Sequence, residues 1–305
     1  MQISDRVHLI PAEASLYTGP FPPNVWLVVD SGEAVLVDSG FAEEQAIAAR
    51  LNYIGGLDGV RLKEIVLTHH HFDHSSGADT IRRSTGATLA LHEDEEDFIK
   101  NPRDDAPDDM VIPDGEKELA EAAKGWREEA RKAIPNRLLR DGDAIGVGSA
   151  TLRVMHTPGH TLGSLCLYLD EEDAVFTGDT VLGRGTVAIN PPPYGNMGSY
   201  LESLTKLEAS GAELICPGHG PTVEEPAQKV RELIAHRHDR ETQIVERVQA
   251  GRNTVGQLLK DIYPEVDRRL HSFATSQLLA HLHKLQDENL LELSGKGRET
   301  AIALK

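Results

Sequence analysis

The residues best suited to chemistry lie together in Thr68-His69-His70-His71-Phe72-Asp73-His74. His69, His71, Asp73 and His74 are all of types that bind a divalent metal. They arrive directly after the apolar run Ile65-Val66-Leu67, which reads as a short buried strand. In an extended chain alternate side chains share a face, so His69 and His71 point one way while His70 and Phe72 point the other. Asp73 and His74 then lie where a turn begins and reach a second point nearby. The pattern therefore offers two histidines to one metal and an Asp-His pair to another. A lone His-x-His would read as a surface loop, but His-x-His-x-Asp-His at a strand end is far more specific.

Such ligands have to be presented by strands that end in turns, and the chain supplies several. Val25–Asp30 and residues 34–38 read as paired strands joined through Ser31-Gly32-Glu33. Ser39-Gly40 ends the second, and a helix with Ile47, Leu51 and Ile54 on one face follows. After the histidine cluster come a helix over 77–84 and a strand over 87–91. Strands resume over 143–147, 151–155, 164–169, 174–176 and 213–216. Thr157-Pro158-Gly159-His160-Thr161 follows one of them, and its Pro and Gly impose a tight turn that presents His160. Thr177-Gly178-Asp179-Thr180 places a carboxylate at another strand end, and Pro217-Gly218-His219-Gly220 places a further histidine. Each of these turns alone reads more simply as structural. Their joint occurrence beside the first cluster marks a set of strand ends that each deliver a ligand type. Ser199 with Glu202 reads as a capping box for a helix over 200–207. Strands with helices interleaved, without the strict alternation of a doubly wound sheet, point to an α+β chain.

The length of 305 residues allows a large core and about two domains. A hydrophobic share of 39% and a charged share of 26% are those of a globular protein. The first residues lack a basic segment followed by an apolar run of the signal-peptide kind, and no apolar run nears the ~18 residues that span a bilayer. Cys166 and Cys216 sit inside apolar runs and read as buried free thiols, which fits a reducing cytoplasm and no membrane association. The net charge of −18 is unevenly placed. Residues 226–305 hold 13 basic and 11 acidic side chains, whereas the remainder holds 18 and 38. A balance of −20 in that remainder repels polyanions, the opposite of a nucleic-acid binder. Residues 93–131, with 15 acidic and 6 basic side chains, read as a solvated surface insertion with a helix over 116–133, a lid being the functional alternative.

On these motifs, from about Val25 to Pro221, the sequence resembles the metallo-β-lactamase superfamily. The resemblance implies an αββα sandwich with the site on one edge. It implies that His69, His71 and His160 bind a first metal, that Asp73, His74 and His219 bind a second, and that Asp179 bridges them. Asp38, in Val37-Asp38-Ser39-Gly40, matches the family's buried support behind the ligand loop. The cofactors implied are two divalent ions, Zn²⁺ first, with Fe or Mn also suited to the carboxylates. A metal-bridging hydroxide would attack the substrate, with Asp73 both ligating and orienting it.

The tail adds a helix over 226–250, carrying Ala235-His236-Arg237-His238-Asp239-Arg240-Glu241, and a small unit over 251–305. Helices at 255–263 and 272–288, with a hairpin over 290–293 and 300–304, make it winged-helix-like. The catalytic unit is expected over 1–225. This arrangement looks like the branch containing the lactamase beta-like protein 2 endoribonuclease. The expected activity is hydrolysis of a small carbonyl substrate: thioester, ester, lactone or β-lactam. Arg184 and Tyr194, on the loop after Asp179, are candidates for substrate contacts, and Arg237 and Arg240 are expected in ion pairs. Single-strand RNA cleavage is the alternative, disfavoured by the acidic charge. The alternative of another class is a winged-helix binding protein reading DNA with Ser276, Gln277, His281, His283 and Lys284. A homo-oligomer is compatible with the sequence.

Overall fold

The computed structural model describes residues 1–10, 22–101 and 117–305. One sheet has the strand order β1 (Val7–Ile10), β2 (Val25–Asp30), β3 (Glu33–Val37), β4 (Arg61–Val66), β5 (Thr88–His92) and β6 (Arg137–Leu139). Its first three strands are antiparallel and the rest run parallel. Ser31 and Gly32 both take positive φ, the two-residue turn whose twist matches the flanking strands. The second sheet comprises β7 (Ala144–Val147), β8 (Ala150–His156), β9 (Leu165–Leu169), β10 (Ala174–Gly178) and β11 (Leu214–Pro217), with only β10 and β11 parallel.

The alternation of side chains along each strand decides the layers. Val28, Val35, Val37 and Val66 of the first sheet pack on Leu152, Val154, Leu167 and Phe176 of the second. Their neighbours Leu27, Leu36, Ile65 and Leu89 face outward onto α1 (Glu44–Gly55) and α3 (Ala78–Thr85), between which lies the single turn α2 (Phe72–Ser75). With both faces covered, the strands carry apolar residues almost continuously, and this is the αββα sandwich expected from the sequence.

Two expectations need correction. The insertion is not simply solvated at its ends. In α4 (Glu96–Lys100) Phe98 and Ile99 are buried, and in α5 (Lys117–Ala130) Trp126 packs 4.3 Å from the Phe41 ring and stacks on Phe72. Its middle, 102–116, lies outside the described residues. The helix expected over 200–207 is α6 (Met197–Glu208), capped by Asn196, whose side chain accepts from the Ser199 backbone N–H. Ser199 is thus the third residue of the helix rather than its cap, because Asn196 already supplies the acceptor the first turn needs.

On the outer face of the second sheet, α6 and α7 (Pro226–Gln249) bury Tyr200, Leu204, Val230 and Leu233 against Val175 and Ile215. Beyond α7 come α8 (Val255–Ile262), α9 (His271–Asp287) and the hairpin β12 (Leu291–Ser294) and β13 (Ala301–Leu304). Leu258, Leu278, Leu282, Leu291 and Ile302 form their own core with Ile244 and Val248 of α7. This is a winged helix built onto the connecting helix. Cys166 and Cys216 are free and buried, and no helix among the described residues is long and apolar enough to cross a membrane.

Candidate metal centre

Four strand-end turns meet at one edge of the sandwich. The chain leaves β4 at Val66 and bends, so His69 and His71 converge across a bend rather than along an extended strand. His69 Nε2 and His160 Nε2 each stand 3.0 Å from His71 Nδ1. His71 caps α2, and that turn swings Asp73 and His74 to a neighbouring point. There His74 Nε2 and His219 Nε2 are 3.2 Å apart, with Asp73 Oδ2 at 3.7 and 3.3 Å from them. Asp179 lies between the two groups. Its Oδ1 is 3.4 Å from His74 Nε2 and 3.6 Å from His219 Nε2, and its Oδ2 is 3.8 Å from His160 Nε2.

These rings are held from behind. Asp38, buried and at positive φ, accepts from the Thr68 N–H at 2.7 Å, from the Thr68 hydroxyl at 2.9 Å and from His74 Nδ1 at 2.8 Å. Thr68 Oγ1, its own proton given to Asp38, accepts from His69 Nδ1 at 3.0 Å. His160 Nδ1 donates to the Ala188 carbonyl at 2.8 Å. Each outward nitrogen thereby carries a proton, and His69 and His160 present bare Nε2 lone pairs inward. The single N–H that His71 Nδ1 can carry serves only one of these two lone pairs at 3.0 Å, and a cation among the three nitrogens removes the conflict. Three nitrogens on one tetrahedral ion at ~2.1 Å would stand roughly 3.4 Å apart, close to what is observed. Asp179 Oδ1 is likewise buried with no hydrogen-bond partner. The donor set fits two divalent ions, with Asp179 placed to reach both.

The electrostatics divide the same way. Burial and the neighbouring imidazoles push His69 well below its ordinary value, and burial with His71 lowers His160 to about 4. Both rings are therefore neutral, the ligand form. In the second group burial opposes charge, but Asp73, Asp179 and Asp38 outweigh it at His74, held up at about 10. Against the same penalty Asp179 and Asp73 raise His219 to about 9. Asp73 stays ionised despite burial because His74 and His219 face it.

The seven ligand candidates from the sequence are brought together, with Asp38 behind them. Arg184 and Tyr194 are placed on the 183–196 loop, the first exposed and the second half-buried. Gly183 N–H bonds the His219 carbonyl at 2.9 Å, so that loop borders the second group. Arg237 and Arg240 make no ion pair among the described residues: their guanidinium groups lie over the Tyr200 and Tyr263 rings. A residue the sequence did not single out is Glu95. Wholly buried, it accepts from the His70 N–H at 2.8 Å, pairs with the His70 ring, and accepts from the Gly163 N–H at 2.6 Å. It thus clamps the His69 turn to the His160 turn. A further His/Asp group, His92, Asp94 and His156, has a different geometry. Its two rings stack at 3.9 Å and 14°, so their in-plane lone pairs run side by side instead of converging.

A family model described as Metallo-beta-lactamase superfamily matches residues 18–219, and one described as Beta-lactamase associated winged helix domain matches 254–298. A Beta-lactamase-like protein 2 homolog of Drosophila melanogaster is 30% identical over 279 residues, covering 90% of this chain and 86% of that one. An atrochrysone carboxyl ACP thioesterase of Aspergillus fumigatus is 28% identical over 245 residues, covering 76% of this chain and 62% of that protein. The crystal structure of a metallo-beta-lactamase family protein from Thermus thermophilus superposes over 100% of both chains, with a TM-score of 0.75 and 26% identity. The chain belongs to the metallo-β-lactamase superfamily, in the form that carries the associated winged helix, and is a metal-dependent hydrolase.

Proposed function

We infer that His69, His71 and His160 hold one divalent cation, that Asp73, His74 and His219 hold a second, and that Asp179 bridges them. The protein is then a binuclear hydrolase of small carbonyl substrates, thioesters first among them. One observation carries this reading: the two oxygens of a single, largely covered carboxylate, Asp179, face two different three-ligand groups. Zn²⁺ suits the mixed imidazole and carboxylate set, and Fe or Mn is compatible with it. Cations held by these residues would supply an activated water and a Lewis acid for the substrate oxygen. The chain's residues orient the reaction. The Asp73 side chain, 20% exposed against 11% for Asp179, is the more open of the two carboxylates and can accept a hydrogen bond from the attacking water. Asp38 and Ala188 fix which imidazole nitrogens point inward.

Two features support a neutral or weakly charged acyl substrate. The catalytic part is strongly acidic, and the Aspergillus relative is named a thioesterase. The DNA-reading alternative loses its recognition face. Ser276 bonds Asn190, Gln277 accepts from Ile189, and Lys284 is tied to Glu241 and Glu288.

The test pairs metal analysis with turnover. Reconstituted protein is expected to hold two ions per chain and to cleave an acyl thioester faster than a lactone, nitrocefin or single-stranded RNA. Asp179→Asn should lower turnover at least about 100-fold, the upper end of what losing an outer partner does. Activity that survives this substitution refutes the bridging role, and preferential RNA cleavage moves the assignment to a nuclease.

A further inference from the structure

The winged-helix module reaches the metal centre through one short stretch of backbone, residues 187–190. Ala188 offers its carbonyl to His160 Nδ1 at 2.8 Å. On either side of Ala188 the backbone is gripped by helices of the C-terminal part. Arg237 on α7 donates to the Val187 carbonyl at 2.7 Å, and Gln277 on α9 accepts from the Ile189 N–H at 3.0 Å. Ser276 on α9 holds the Asn190 side chain at 2.8 Å. Val187 and Ile189 are buried in the same core as Leu233 of α7 and Ala280 of α9. Among the described residues the segment belongs to no strand, and these contacts hold it on both sides of Ala188. Arg237 is also nearly sealed from solvent and lies over the ring of Tyr200, whose hydroxyl bonds the carbonyl of Thr180, next to Asp179.

We propose that Gln277 and Arg237 are positioning residues for His160, acting through the 187–190 backbone, so that the winged helix is a structural part of the metal centre. A carbonyl that orients a ligand histidine does so only while it stays put, and loss of such an outer partner weakens metal binding by roughly 10- to 100-fold. The segment is fixed on both sides of Ala188, and both fixings come from beyond residue 225. The inference rests on the reading of His160 as a ligand.

Gln277 is half-buried, which makes it the residue to change. Gln277→Met keeps the volume and removes the acceptor, while Gln277→Glu keeps the acceptor. In zinc-loaded, full-length protein with ¹⁵N-labelled histidine, the Nδ1 protons of His160 and His74 report the two halves of the centre. His74 is the internal control, since its proton goes to Asp38. Gln277→Met should speed exchange of the His160 proton by roughly fivefold or more, the scale of one lost hydrogen bond, and leave that of His74 unchanged. One of the two stepwise Zn²⁺ constants should weaken about tenfold. Gln277→Glu should restore both. An unaltered His160 proton with unaltered constants in Gln277→Met overturns the inference. So does equal loss of protection at both rings, the mark of general loosening. Wild-type protein that binds no cation defeats the underlying metal reading, whereas two bound cations without a His160 response defeat only this inference.

Discussion

At the scale of single residues, Glu95 shows how a buried charge can serve a site it does not enter. Its carboxylate is held down at about 2: burial alone would raise it, but His70 and the donors from Thr161 and Gly163 prevail. A carboxyl group lowered from 4.5 stabilises the fold fully above its unfolded value and loses that contribution as pH falls through about 2. Breaking one partner of a buried pair costs about 3 kcal/mol or more. Glu95→Gln is therefore expected to lose about 3 kcal/mol at pH 7, with the gap to wild type closing as pH falls from 4.5 towards 2. Urea titrations across that range measure it, and a gap independent of pH would show that the charge is not what matters.

At the scale of elements, the site depends on how loops abut helices. Gly159 lies at φ +142°, and a Cβ there would stand 2.4 Å from Cβ of Tyr200. The Gly159 carbonyl in turn accepts from the Asn196 N–H at 2.9 Å. The turn that carries His160 thus sits directly on the first residues of α6. The reassigned cap is testable here. Asn196→Ala should cost about 1 kcal/mol, and Ser199→Ala should change little, because only the first removes an acceptor for the helix's free N–H groups. Equal losses in thermal melts would return the cap to Ser199.

At the scale of the whole molecule, the winged helix and the sandwich share their supports. Helix α7 contributes Val230 and Leu233 to the sandwich core and Ile244 and Val248 to the module core, and Ala280 of α9 packs with the former. A helix that belongs to both cores, with an apolar contact beside it, couples the opening of one to that of the other. Calorimetry of the full chain should show one transition, and two resolved transitions would mean that the module folds alone. The acidic excess of residues 1–225 acts at this scale too, setting up a negative long-range field.

What could be read from sequence and what could not divides along the range of the interactions. His69, His71, His160, Asp179 and His219 were legible because each follows an apolar strand at a turn, and periodicity and Gly/Pro chemistry are local properties of the chain. Glu95 was hidden in the acidic run Glu93–Asp97, where nothing local separates it from its exposed neighbours. Its partners lie 25 and 68 positions away, and only packing makes it a clamp. For the same reason Arg237 and Arg240 turned to aromatic rings instead of carboxylates, and Ser276 and Gln277 of α9 turned to the 187–190 backbone. By itself, then, the sequence determined the candidate ligand types and their strand-end placement, and its resemblance to the family implied the order of layers. Only the tertiary structure decided which nitrogens face inward, what braces them, and where the C-terminal helices dock, because these depend on contacts between segments that local pattern does not link.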